Sequence, residues 1–460
     1  MIRNRPTARG HLLALVLVMT LLFLLLGQSP SRTQTEGTPS PFGVAQGNMA
    51  WTPFPALLRD DRLQWMMRET GEVGAGWLRL NVAWGEIERQ DGELNWSIPD
   101  AFIEHADRAG IKLLLTIWGY APGQWIGSPE LPAGVPREPH AGSGEAKLRA
   151  YERFMRALAQ RYRGKIRFWQ IEHEVDGSDL GGWMVPIEEY PRILQTAYRT
   201  IKQEDPSASI LIAGLMASTL GQAALSGRPA SPLAPEYIRR AELILERGRE
   251  HFDILDLHIY TPPHEMAFAV EYFRRRLLQL GHQKAIWVTE TGGPHPCWYR
   301  TLTEPPPAVQ ASEVVKRYTV LFATGVERVF WFGILSRATD WISSCPGHGL
   351  FGYMALVRSR QLIPLPVERR SAFITHKLMV QKLSGFRAVQ QLSLGQGVWA
   401  FRFSKPGGDV YVVWADRAVQ VNLPLGPQAV RVTDITGSSR QQDSANLAVT
   451  TLPVFVETGN

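Results

Sequence analysis

Residues 252–290 read FDILDLHIYTPPHEMAFAVEYFRRRLLQLGHQKAIWVTE, and this stretch decides the fold. Residues 252–260 and 285–290 are short runs rich in aliphatic, β-branched and aromatic side chains, which is typical of buried strands. Residues 264–281 between them carry apolar side chains at helical spacing. A strand, a helix and a second strand in this order predict two parallel strands that are joined by a crossover helix.

The same unit recurs along most of the chain. The predicted strands lie at residues 42–47, 76–82, 111–117, 166–172, 209–214, 252–260, 285–290 and 328–333. The predicted helices lie at residues 57–70, 98–109, 145–163, 187–204, 235–250, 264–281, 309–324 and 367–383. Eight strand–helix pairs that close on themselves predict a (β/α)8 TIM barrel, an α/β fold. A doubly wound open sheet is the alternative, but no glycine-rich phosphate-binding motif follows the first strand.

The pattern changes after Ser384. Segments such as GVWAFRFS and GDVYVVWA are short, alternate in polarity and are separated by Gly, Pro or Ser turns. They predict a small antiparallel β-module, a sandwich or part of one. We therefore predict a barrel over residues 41–384 and a C-terminal β-module over residues 385–460.

Residues 1–40 are typical of a targeting segment. Arg3, Arg5 and Arg9 precede an apolar run at residues 12–26, and a polar stretch follows that run. This order indicates a signal peptide, or a membrane anchor with a flexible tether. The run is shorter than the roughly 20 apolar residues of a spanning helix. We expect the rest of the chain to be exported, and so to be secreted, periplasmic or anchored to the outer face of the membrane by residues 12–26.

The charge pattern argues against a nucleic-acid partner. Lys and Arg number 49 against 43 Asp and Glu, which gives a formal net charge of +6. The densest basic clusters are short, at residues 274–276 and 368–370, in helix-like segments whose charges are usually solvated. A nucleic-acid-binding protein usually gathers its excess positive charge into longer runs.

Two carboxylates stand where a barrel of this type carries its active site, at the C-terminal ends of the strands. Glu174 follows the fourth predicted strand and Glu290 ends the seventh. A retaining glycoside hydrolase needs two carboxyl groups about 5–5.5 Å apart, one as acid and base and one as nucleophile. Aromatic rings bind the apolar faces of sugars and polar side chains bind their hydroxyls. Because Trp, Tyr, Arg, Asn and His also follow the strands, the sequence predicts glycoside hydrolysis.

Four motifs resemble those of the clan A glycoside hydrolases, which are retaining (β/α)8 enzymes. GWLRLNVAWGEIERQDGELNW resembles the second-strand motif, whose arginine is Arg79 here. FWQIEHEVD, LDLHIY and WVTETGG are similar to the fourth-, sixth- and seventh-strand motifs. The resemblance implies Glu174 as acid/base, Glu290 as nucleophile and Tyr260 as a side chain bonded to Glu290. It covers the whole barrel and is nearest to the β-xylosidase, α-L-iduronidase and cellulase branches; the β-module also looks like those of the β-xylosidase, α-L-iduronidase and arabinofuranosidase branches.

His173 departs from the pattern of this clan. Most members have asparagine before the acid/base, where it bonds the sugar 2-hydroxyl. The β-mannanase branch has His-Glu at this place, and HEVDGSDLGGW resembles that branch locally. The contact on which the identity of the sugar depends therefore falls on His173.

Further side chains are expected to bind the substrate. The polar candidates are Arg79, His173, His258 and Tyr260. The aromatic candidates are Trp84, Trp118, Trp125, Trp183 and Trp331, each with a place in the core as the alternative. The resemblance favours Trp331, since the clan often forms the floor of its reactive subsite at the end of the eighth strand.

Strand alternation predicts a supporting role for Glu172. Side chains alternate between the two faces of a strand, so residues 170, 172 and 174 would share one face and residues 169, 171 and 173 the other. Trp169 and Ile171 suit the face toward the helices. Glu172 would then lie one layer below Glu174, near Arg79, as a carboxylate that orients its neighbours.

The predicted mechanism is double displacement. Glu290 attacks as a carboxylate, and Glu174 begins protonated because burial and the negative charge of Glu290 raise its pKa. Carboxyl oxygens 7 Å or more apart would indicate inversion of configuration instead.

Two alternatives remain for the Glu-His-Glu sequence at residues 172–174. Glu172, Glu174 and His258 could bind a metal ion, although no His-x-His pair occurs on an early strand, and a chelator would test this. The chain could also be a sugar-binding barrel without activity. The interpretation that we favour needs no metal and no cofactor.

The two cysteines follow neighbouring strands. Cys297 comes after the seventh predicted strand and Cys345 after the eighth. Cysteines of exported proteins can pair, and loops after neighbouring strands are adjacent, so we expect a disulfide beside the nucleophile. It could stabilise the fold by about 3–4 kcal/mol. Two unpaired thiols are the alternative.

Overall fold

A computed structural model of the chain describes residues 40–46, 60–88, 93–119, 144–177, 186–216, 234–294, 304–336, 351–359 and 367–458. Its first eight strands are parallel, pair in chain order and close into a barrel, because β1 also pairs with β8. These strands are β1 Phe42–Ala45, β2 Trp77–Ala83, β3 Lys112–Trp118, β4 Phe168–Ile171, β5 Ser209–Leu211, β6 Ile254–His258, β7 Ala285–Thr291 and β8 Arg328–Phe332. The predicted TIM barrel is confirmed.

Helices connect the strands around the outside of the barrel. They are α1 Asp60–Glu72, α2 Trp84–Ile87, α3 Ser97–Ala109, α4 Glu145–Tyr162, α5 Tyr190–Glu204, α6 Ala234–Gly248, α7 Pro263–Gln279, α8 Pro307–Ala323 and α9 Ser371–Leu383. The last helix begins four residues later than predicted. Residues 367–369 form a strand instead, because they pair with residues 357–359 in a small sheet.

The strands divide their side chains between two cores. Outward side chains such as Trp169, Leu257 and Trp331 join the helices in one large apolar cluster. Inward side chains at the N-terminal end, among them Trp77 and Trp287, fill the bottom of the barrel. Arg328 lies over both rings, 4.8 and 4.3 Å from their centroids. With its bottom filled, the barrel presents polar inward side chains toward its C-terminal end.

An antiparallel sheet follows α9, as the sequence predicts. The remaining strands are β9 Leu335–Ser336, β10 Val357–Ser359, β11 Val367–Arg369, β12 Ala388–Leu392, β13 Val398–Ser404, β14 Val410–Ala415, β15 Val419–Val421, β16 Ala429–Asp434, β17 Ser439–Asp443, β18 Leu447–Val449 and β19 Val454–Thr458. The six-stranded sheet has the order β12-β13-β14-β19-β16-β17, and β15 pairs with β18 beside it. One face, with Phe401 and Phe455, joins the large core of the barrel. The other face, with Val413 and Val432, forms a core of its own.

Several predictions concern residues outside the described ranges. They are the targeting segment at residues 12–26, Trp125, Trp183 and the disulfide between Cys297 and Cys345. These stay predictions, as do the exact domain limits. Within the described ranges, no helix has the length and apolar character that a membrane crossing requires.

Candidate active site

The backbone leaves the strand pattern directly after β4. Glu172 and Glu174 both have left-handed backbone conformations, with φ of 67° and 48°. Such values are uncommon for residues other than glycine, and they cluster at functional sites. As a result, His173 and Glu174 both contact groups inside the barrel opening. The prediction that alternation continues through residue 174 is wrong.

Glu172 supports the site from a different side than predicted. Its buried carboxylate accepts a hydrogen bond from the backbone N–H of Gly119, just after β3, at 2.6 Å. Burial, and then the charge of Glu172, raise the pKa of Tyr151 on α4 well above its ordinary value. Within the described ranges, the side chain of Arg79 hydrogen-bonds to Gln170, Glu290 and His173, and not to Glu172 as we expected. Glu172 therefore ties the end of β4 to the end of β3.

Two side chains hold the carboxylate of Glu290. Arg79 Nη1 donates to Oε1 at 2.5 Å, and the phenol of Tyr260 donates to Oε2 at 2.8 Å. Arg79 and Glu290 are both buried. Both contacts stabilise the ionised carboxylate, since a guanidinium and a phenol donate hydrogen bonds to it. The contact of Tyr260 with Glu290 is the one that the resemblance implies, whereas Arg79, which we expected near Glu172 and the substrate, contacts Glu290.

Glu174 lies between two histidines. Its Oε1 is 2.7 Å from Nδ1 of His258, and its Oε2 is 3.7 Å from Nε2 of His173. Burial raises the pKa of Glu174 to about 7, while the positive charge of Arg79 opposes this rise. Of the two causes that we predicted, burial is therefore the one that raises the pKa.

The carboxylates of Glu174 and Glu290 face each other across a short gap. One carboxylate oxygen of each, together with a ring nitrogen of His173 and one of His258, lie within 4.8 Å of one another. The side chain of Glu174 is 13% exposed and that of Glu290 is 6% exposed. The separation is well below the 7 Å at which we expected inversion.

His173 stacks on Trp118 at the end of β3. The ring centroids are 5.5 Å apart and the planes differ by 12°. Nη2 of Arg79 lies 3.3 Å from Nδ1 of His173. A guanidinium can only donate, so Nδ1 accepts and the neutral ring carries its hydrogen on Nε2. Burial, and then Arg79 and His258, hold the pKa of His173 well below its ordinary value, which agrees with a neutral ring.

His258 is fully buried beneath Glu174, and its place depends on a glycine. A Cβ atom at Gly214, after β5, would lie 1.9 Å from Nε2 of His258. Nε2 is 3.2 Å from the hydroxyl of Thr289. Burial lowers the pKa of His258 to about 3, against the opposing charge of Glu290, so the ring is neutral. We predicted that His258 binds the substrate, but its two nitrogens contact protein groups.

A polar layer that we did not predict lies below these residues. Asp256 accepts hydrogen bonds from the backbone N–H and the hydroxyl of Thr289, at 3.0 and 2.6 Å, and from the amide of Gln170. The other end of the Gln170 amide accepts from Arg79 at 2.7 Å and Thr116 at 2.5 Å. The sequence holds a signal for Asp256. In LDLHIY it has the strand parity of His258 and Tyr260, so all three face inward.

Two predicted stacking platforms lie in the core instead. Trp84 packs against Tyr151 and Phe154 and is 2% exposed. Trp331 is fully buried in the outer core and donates to the carbonyl of Met354 at 2.7 Å. Both were predicted to bind substrate, and for both this is wrong in the described structure. Trp331 has the strand parity that faces the helices. Trp84 begins the short helix α2, which turns its side chain toward the outer core.

Phe332 takes the place that we expected for Trp331. It is the next residue along β8, it packs on the inner core, and it is partly exposed. Its ring meets Tyr260 edge-on, with centroids 6.4 Å apart. An aromatic face beside Tyr260 and Glu290 can pack against the apolar side of a ring-shaped ligand.

The four residues around the gap could also be considered as a metal site. His173, Glu174, His258 and Glu290 offer four ligand atoms within 4.8 Å of one another. Two contacts argue against a cation here. Nη2 of Arg79 donates to Nδ1 of His173, which leaves the hydrogen rather than a lone pair on Nε2. Arg79 also brings its own positive charge to 2.5 Å from Glu290.

Comparison with known proteins identifies the fold. No protein-family model matches the chain. The structure is similar to a family 39 glycoside hydrolase from Bacteroides cellulosilyticus, with 16% identity, a TM-score of 0.65 and coverage of 91% of this chain and 81% of the other. It is also similar to an α-L-arabinofuranosidase from Thermotoga maritima, with 11% identity, a TM-score of 0.57 and coverage of 93% and 98%. These structures confirm the predicted resemblance to clan A glycoside hydrolases at the level of the fold.

A curated relative matches part of the sequence. Endo-1,4-beta-xylanase 3 of Hypocrea jecorina is 26% identical over 139 residues. The match covers 29% of this chain and 36% of the xylanase, so it spans about a third of the relative's length. An endoxylanase of family 30 from Clostridium papyrosolvens is similar in structure, with 14% identity, a TM-score of 0.54 and coverage of 94% and 98%.

Proposed function

We propose that this protein is a retaining glycoside hydrolase that cleaves O-glycosidic bonds in an oligo- or polysaccharide. Glu290 acts as the nucleophile and Glu174 as the acid and base. The observation that carries the proposal is the approach of their carboxylate oxygens to within 4.8 Å. Retaining enzymes hold the two carboxyl groups about 5–5.5 Å apart, whereas inverting enzymes need about 6.5–9.5 Å to admit a water.

The surroundings divide the two roles. Glu290 accepts hydrogen bonds from Arg79 and Tyr260, which favour the negative carboxylate that a nucleophile requires. Glu174 has a pKa raised to about 7 by burial, so it can hold a proton near neutral pH. Two carboxyl groups whose surroundings differ in this way suit an acid and a nucleophile.

Double displacement then proceeds in two steps. In the first, an oxygen of Glu290 bonds to the anomeric carbon while Glu174 gives its proton to the leaving oxygen, and the glycosidic bond breaks. In the second, Glu174, now ionised, takes a proton from water as the water oxygen attacks that carbon. The ester bond to Glu290 breaks, and both side chains return to their starting states.

The polar and aromatic side chains around the gap suit a sugar ring. The hydrogen on Nε2 of His173 points toward Glu174 and can donate to a hydroxyl beside the anomeric carbon. Phe332 offers an aromatic face on the other side, next to Tyr260. Trp118 supports the ring of His173 from behind.

A sugar-binding barrel without activity is the second interpretation. Sugar binding alone requires no proton transfer, so in such a protein neither carboxylate would have to gain or lose a proton. The approach of Glu174 to Glu290 and the raised pKa of Glu174 favour the enzyme. A metal-dependent hydrolase is less favoured because the guanidinium of Arg79 donates hydrogen bonds to both His173 and Glu290, two of the four possible ligands.

Chemical rescue of two variants tests the proposal. The names of the relatives make aryl xylosides and arabinofuranosides the first substrates to try, followed by other aryl glycosides and by xylans. We expect Glu290→Ala and Glu174→Ala each to lower the rate by about 10²–10⁴-fold or more. Glu236→Gln, on the exposed face of α6, is the control and should keep the wild-type rate.

The products made with azide assign the two roles. In Glu290→Ala, azide takes the place of the nucleophile and should give a glycosyl azide of inverted configuration. In Glu174→Ala, azide attacks the glycosyl-enzyme intermediate and should give the retained configuration. Proton NMR of the azide products distinguishes the two. Inverted sugar from the wild type would contradict the retaining mechanism, and activity lost on chelation would favour the metal-dependent alternative.

A further inference from the structure

A continuous chain of hydrogen bonds leads from Glu174 into the barrel. Oε1 of Glu174 is 2.7 Å from Nδ1 of His258, and Nε2 of the same ring is 3.2 Å from the hydroxyl oxygen of Thr289. That hydroxyl is 2.6 Å from Oδ2 of Asp256. The chain therefore joins one carboxyl group at the barrel opening to a second carboxyl group that is fully buried below it.

The hydrogens of this chain can be arranged in two complete ways. In the first, Glu174 is protonated and donates to Nδ1 of His258, Nε2–H donates to Thr289, and the Thr289 hydroxyl donates to ionised Asp256. In the second, every direction is reversed. Asp256 is protonated and donates to Thr289, Thr289 donates to Nε2, and Nδ1–H donates to ionised Glu174. His258 is neutral in both.

We propose that Glu174 and Asp256 share one proton through His258 and Thr289, so that Asp256 sets the protonation state of the acid/base from below. The proposal rests on the role of Glu174 in the proposed function. His258, Thr289 and Asp256 are positioning residues in this reaction, because they act on the substrate only through Glu174.

The transfer between the two arrangements balances at each link. The proton of Glu174 moves to Nδ1 of His258, and the proton of Nε2 moves to the hydroxyl oxygen of Thr289. The original hydroxyl proton of Thr289 moves to Oδ2 of Asp256. The net change is one proton from Glu174 to Asp256, and His258 and Thr289 remain neutral throughout.

The chain ends at Asp256 for a structural reason. Oδ2 also accepts a hydrogen bond from the amide of Gln170, whose carbonyl end is fixed by Arg79 and Thr116, and Nε2 of His258 lies 3.7 Å from Oδ2. An amide held in this way donates a hydrogen bond but does not pass a proton on. The network thus continues to Arg79 and Glu290 as hydrogen bonds alone, and the mobile proton stays on the Glu174 side.

Other charged and titratable groups face the chain and act on both ends. From β2, the positive charge of Arg79 favours ionisation of both carboxyl groups. From β7, Glu290 lies 3.7 Å from Nδ1 of His258. From the end of β4, the His173 ring lies 5.1 Å from that of His258. Tyr260, from the segment after β6, interacts with the charge of Glu174, and Tyr190 on α5 interacts with the charge of Asp256.

Glu174 and Asp256, the two ends of the chain, have similar affinities for the proton. Burial raises the pKa of Glu174 to about 7 and that of Asp256 to about 8. A shared proton suits the proposed reaction, since Glu174 must be an acid in one step and a base in the next. Two coupled carboxyl groups titrate as a pair, with the second proton leaving at a higher pH than either group would show alone.

The pH dependence of kcat/KM tests the proposal. Activity should fall at high pH as the shared proton is lost. In Thr289→Val, the His258 ring is free to carry its hydrogen on Nδ1, which stabilises ionised Glu174. Asp256→Asn removes the negative charge of the Asp256 carboxylate, which helps to keep the shared proton on the pair. We expect the high-pH limb to move to lower pH by about one unit in both variants.

Thr116→Val is the matched control. Thr116 is also a buried threonine of the polar layer, but its hydroxyl donates to the carbonyl oxygen of Gln170 and, within the described ranges, to no member of the proton chain. Its loss should leave the high-pH limb at the wild-type position, whatever its effect on the rate. If Thr289→Val and Asp256→Asn lower the rate but also leave the limb in place, their role is packing alone and the proposal is wrong.

Nitrogen NMR of the histidines provides a test without any substrate. With ¹⁵N-labelled histidine, the signals of His258 are identified by their loss in His258→Asn. We expect a neutral ring that carries its hydrogen on both nitrogens in comparable amounts in the wild type, since the two arrangements are close in free energy, and mainly on Nδ1 in Thr289→Val. The same tautomer in both proteins would overturn the proposal. If the tautomer responds but no glycoside is hydrolysed, the shared proton stands and the proposed function fails.

Discussion

The neighbouring strands β6 and β7 build the site in different ways. β6 and the two residues after it alternate regularly, with Asp256, His258 and Tyr260 inward and Leu257 and Ile259 in the outer core. β7 contains one extra residue. Val288 pairs with Leu257 and Glu290 pairs with the next residue of β6, His258, so Thr289 is the extra residue. The pairing of β7 with β8 also shifts, between Val288 and Thr291. Such a bulge redirects the side chains that follow it.

The bulge in β7 and the left-handed residues after β4 have the same effect. Thr289 and Glu290 are adjacent, yet both contact groups inside the barrel. His173 and Glu174 are also adjacent, and both do the same. Regular alternation places only every second side chain inside. The regular strand therefore supplies the supporting groups, and the two irregular strand ends supply the proposed catalytic carboxylates.

Loss of Arg79 should have the largest effect on this arrangement. Arg79 is fully buried and joins the ends of β4 and β7 through His173 and Glu290. Arg79→Met would leave Glu290 buried without its cation, which typically costs about 3–5 kcal/mol of unfolding free energy. Urea unfolding measures this cost. An unchanged midpoint would mean that the irregular strand ends hold their shape without the ion pair.

A neutral side chain at Glu174 should stabilise the fold at high pH. The pKa of Glu174 rises from an ordinary 4.5 to about 7. Between these values the folded protein keeps a proton that the unfolded chain releases, so stability falls as pH rises through this window. Glu174→Gln removes the effect and should gain up to about 3 kcal/mol above pH 7.

Unfolding at two pH values checks this sign. Wild type and Glu174→Gln should be about equally stable near pH 4, where both side chains are neutral in both states. The variant should be the more stable of the two near pH 8. Equal stability at pH 8 would show that the distorted backbone after β4 does not hold Glu174 in a buried environment.

Gly214→Ala tests the regular strand. The new Cβ would lie 1.9 Å from Nε2 of His258, so the ring must move from its place under Glu174. A displacement of about 1 Å near the reacting groups can lower the rate about 10²-fold. The control is Gly71→Ala in α1, where the nearest atom is 4.0 Å away and alanine favours the helix. Similar kcat values for both variants would contradict the role of His258.

Two tryptophan variants should have the smallest effects and distinguish core from site. Trp84→Phe, in the outer core, should lower the unfolding free energy by about 1–2 kcal/mol and leave KM unchanged. Trp118→Phe, behind His173, should change KM or kcat a few-fold with little change in stability. A change of KM in Trp84→Phe would restore the predicted stacking role of Trp84.

The sequence predicted the parts of the site that follow simple periodicity or a motif. The motifs specify Arg79, Tyr260 and Glu290, and the expected contact of Tyr260 with Glu290 is present. Arg79 lies on a regular strand, and Tyr260 keeps the alternation of β6 two residues past its end. Trp331 was placed in the site from the resemblance. Its parity with Val329 in the outer core would have placed it correctly and would have indicated Phe332.

The remaining differences depend on backbone geometry that periodicity does not encode. A left-handed residue or a bulge changes which side chains face inward. The residue types at positions 172 and 289, glutamate and threonine, do not predict either irregularity. For this reason the predicted alternation through residue 174 runs three residues past the end of β4 at Ile171. Asp256 was missed for another reason, since its parity was available but no motif drew attention to it.

The sequence by itself determined the order of strands and helices, the barrel and the presence of carboxylates at the ends of strands four and seven. Apolar periodicity is a local property and can be predicted from a single chain. Only the tertiary structure decided that His258 lies beneath Glu174, that Gly214 leaves room for it, and that Asp256 is joined to both through Thr289. These contacts unite residues far apart in the chain, and burial in a shared interior gives them their unusual proton affinities.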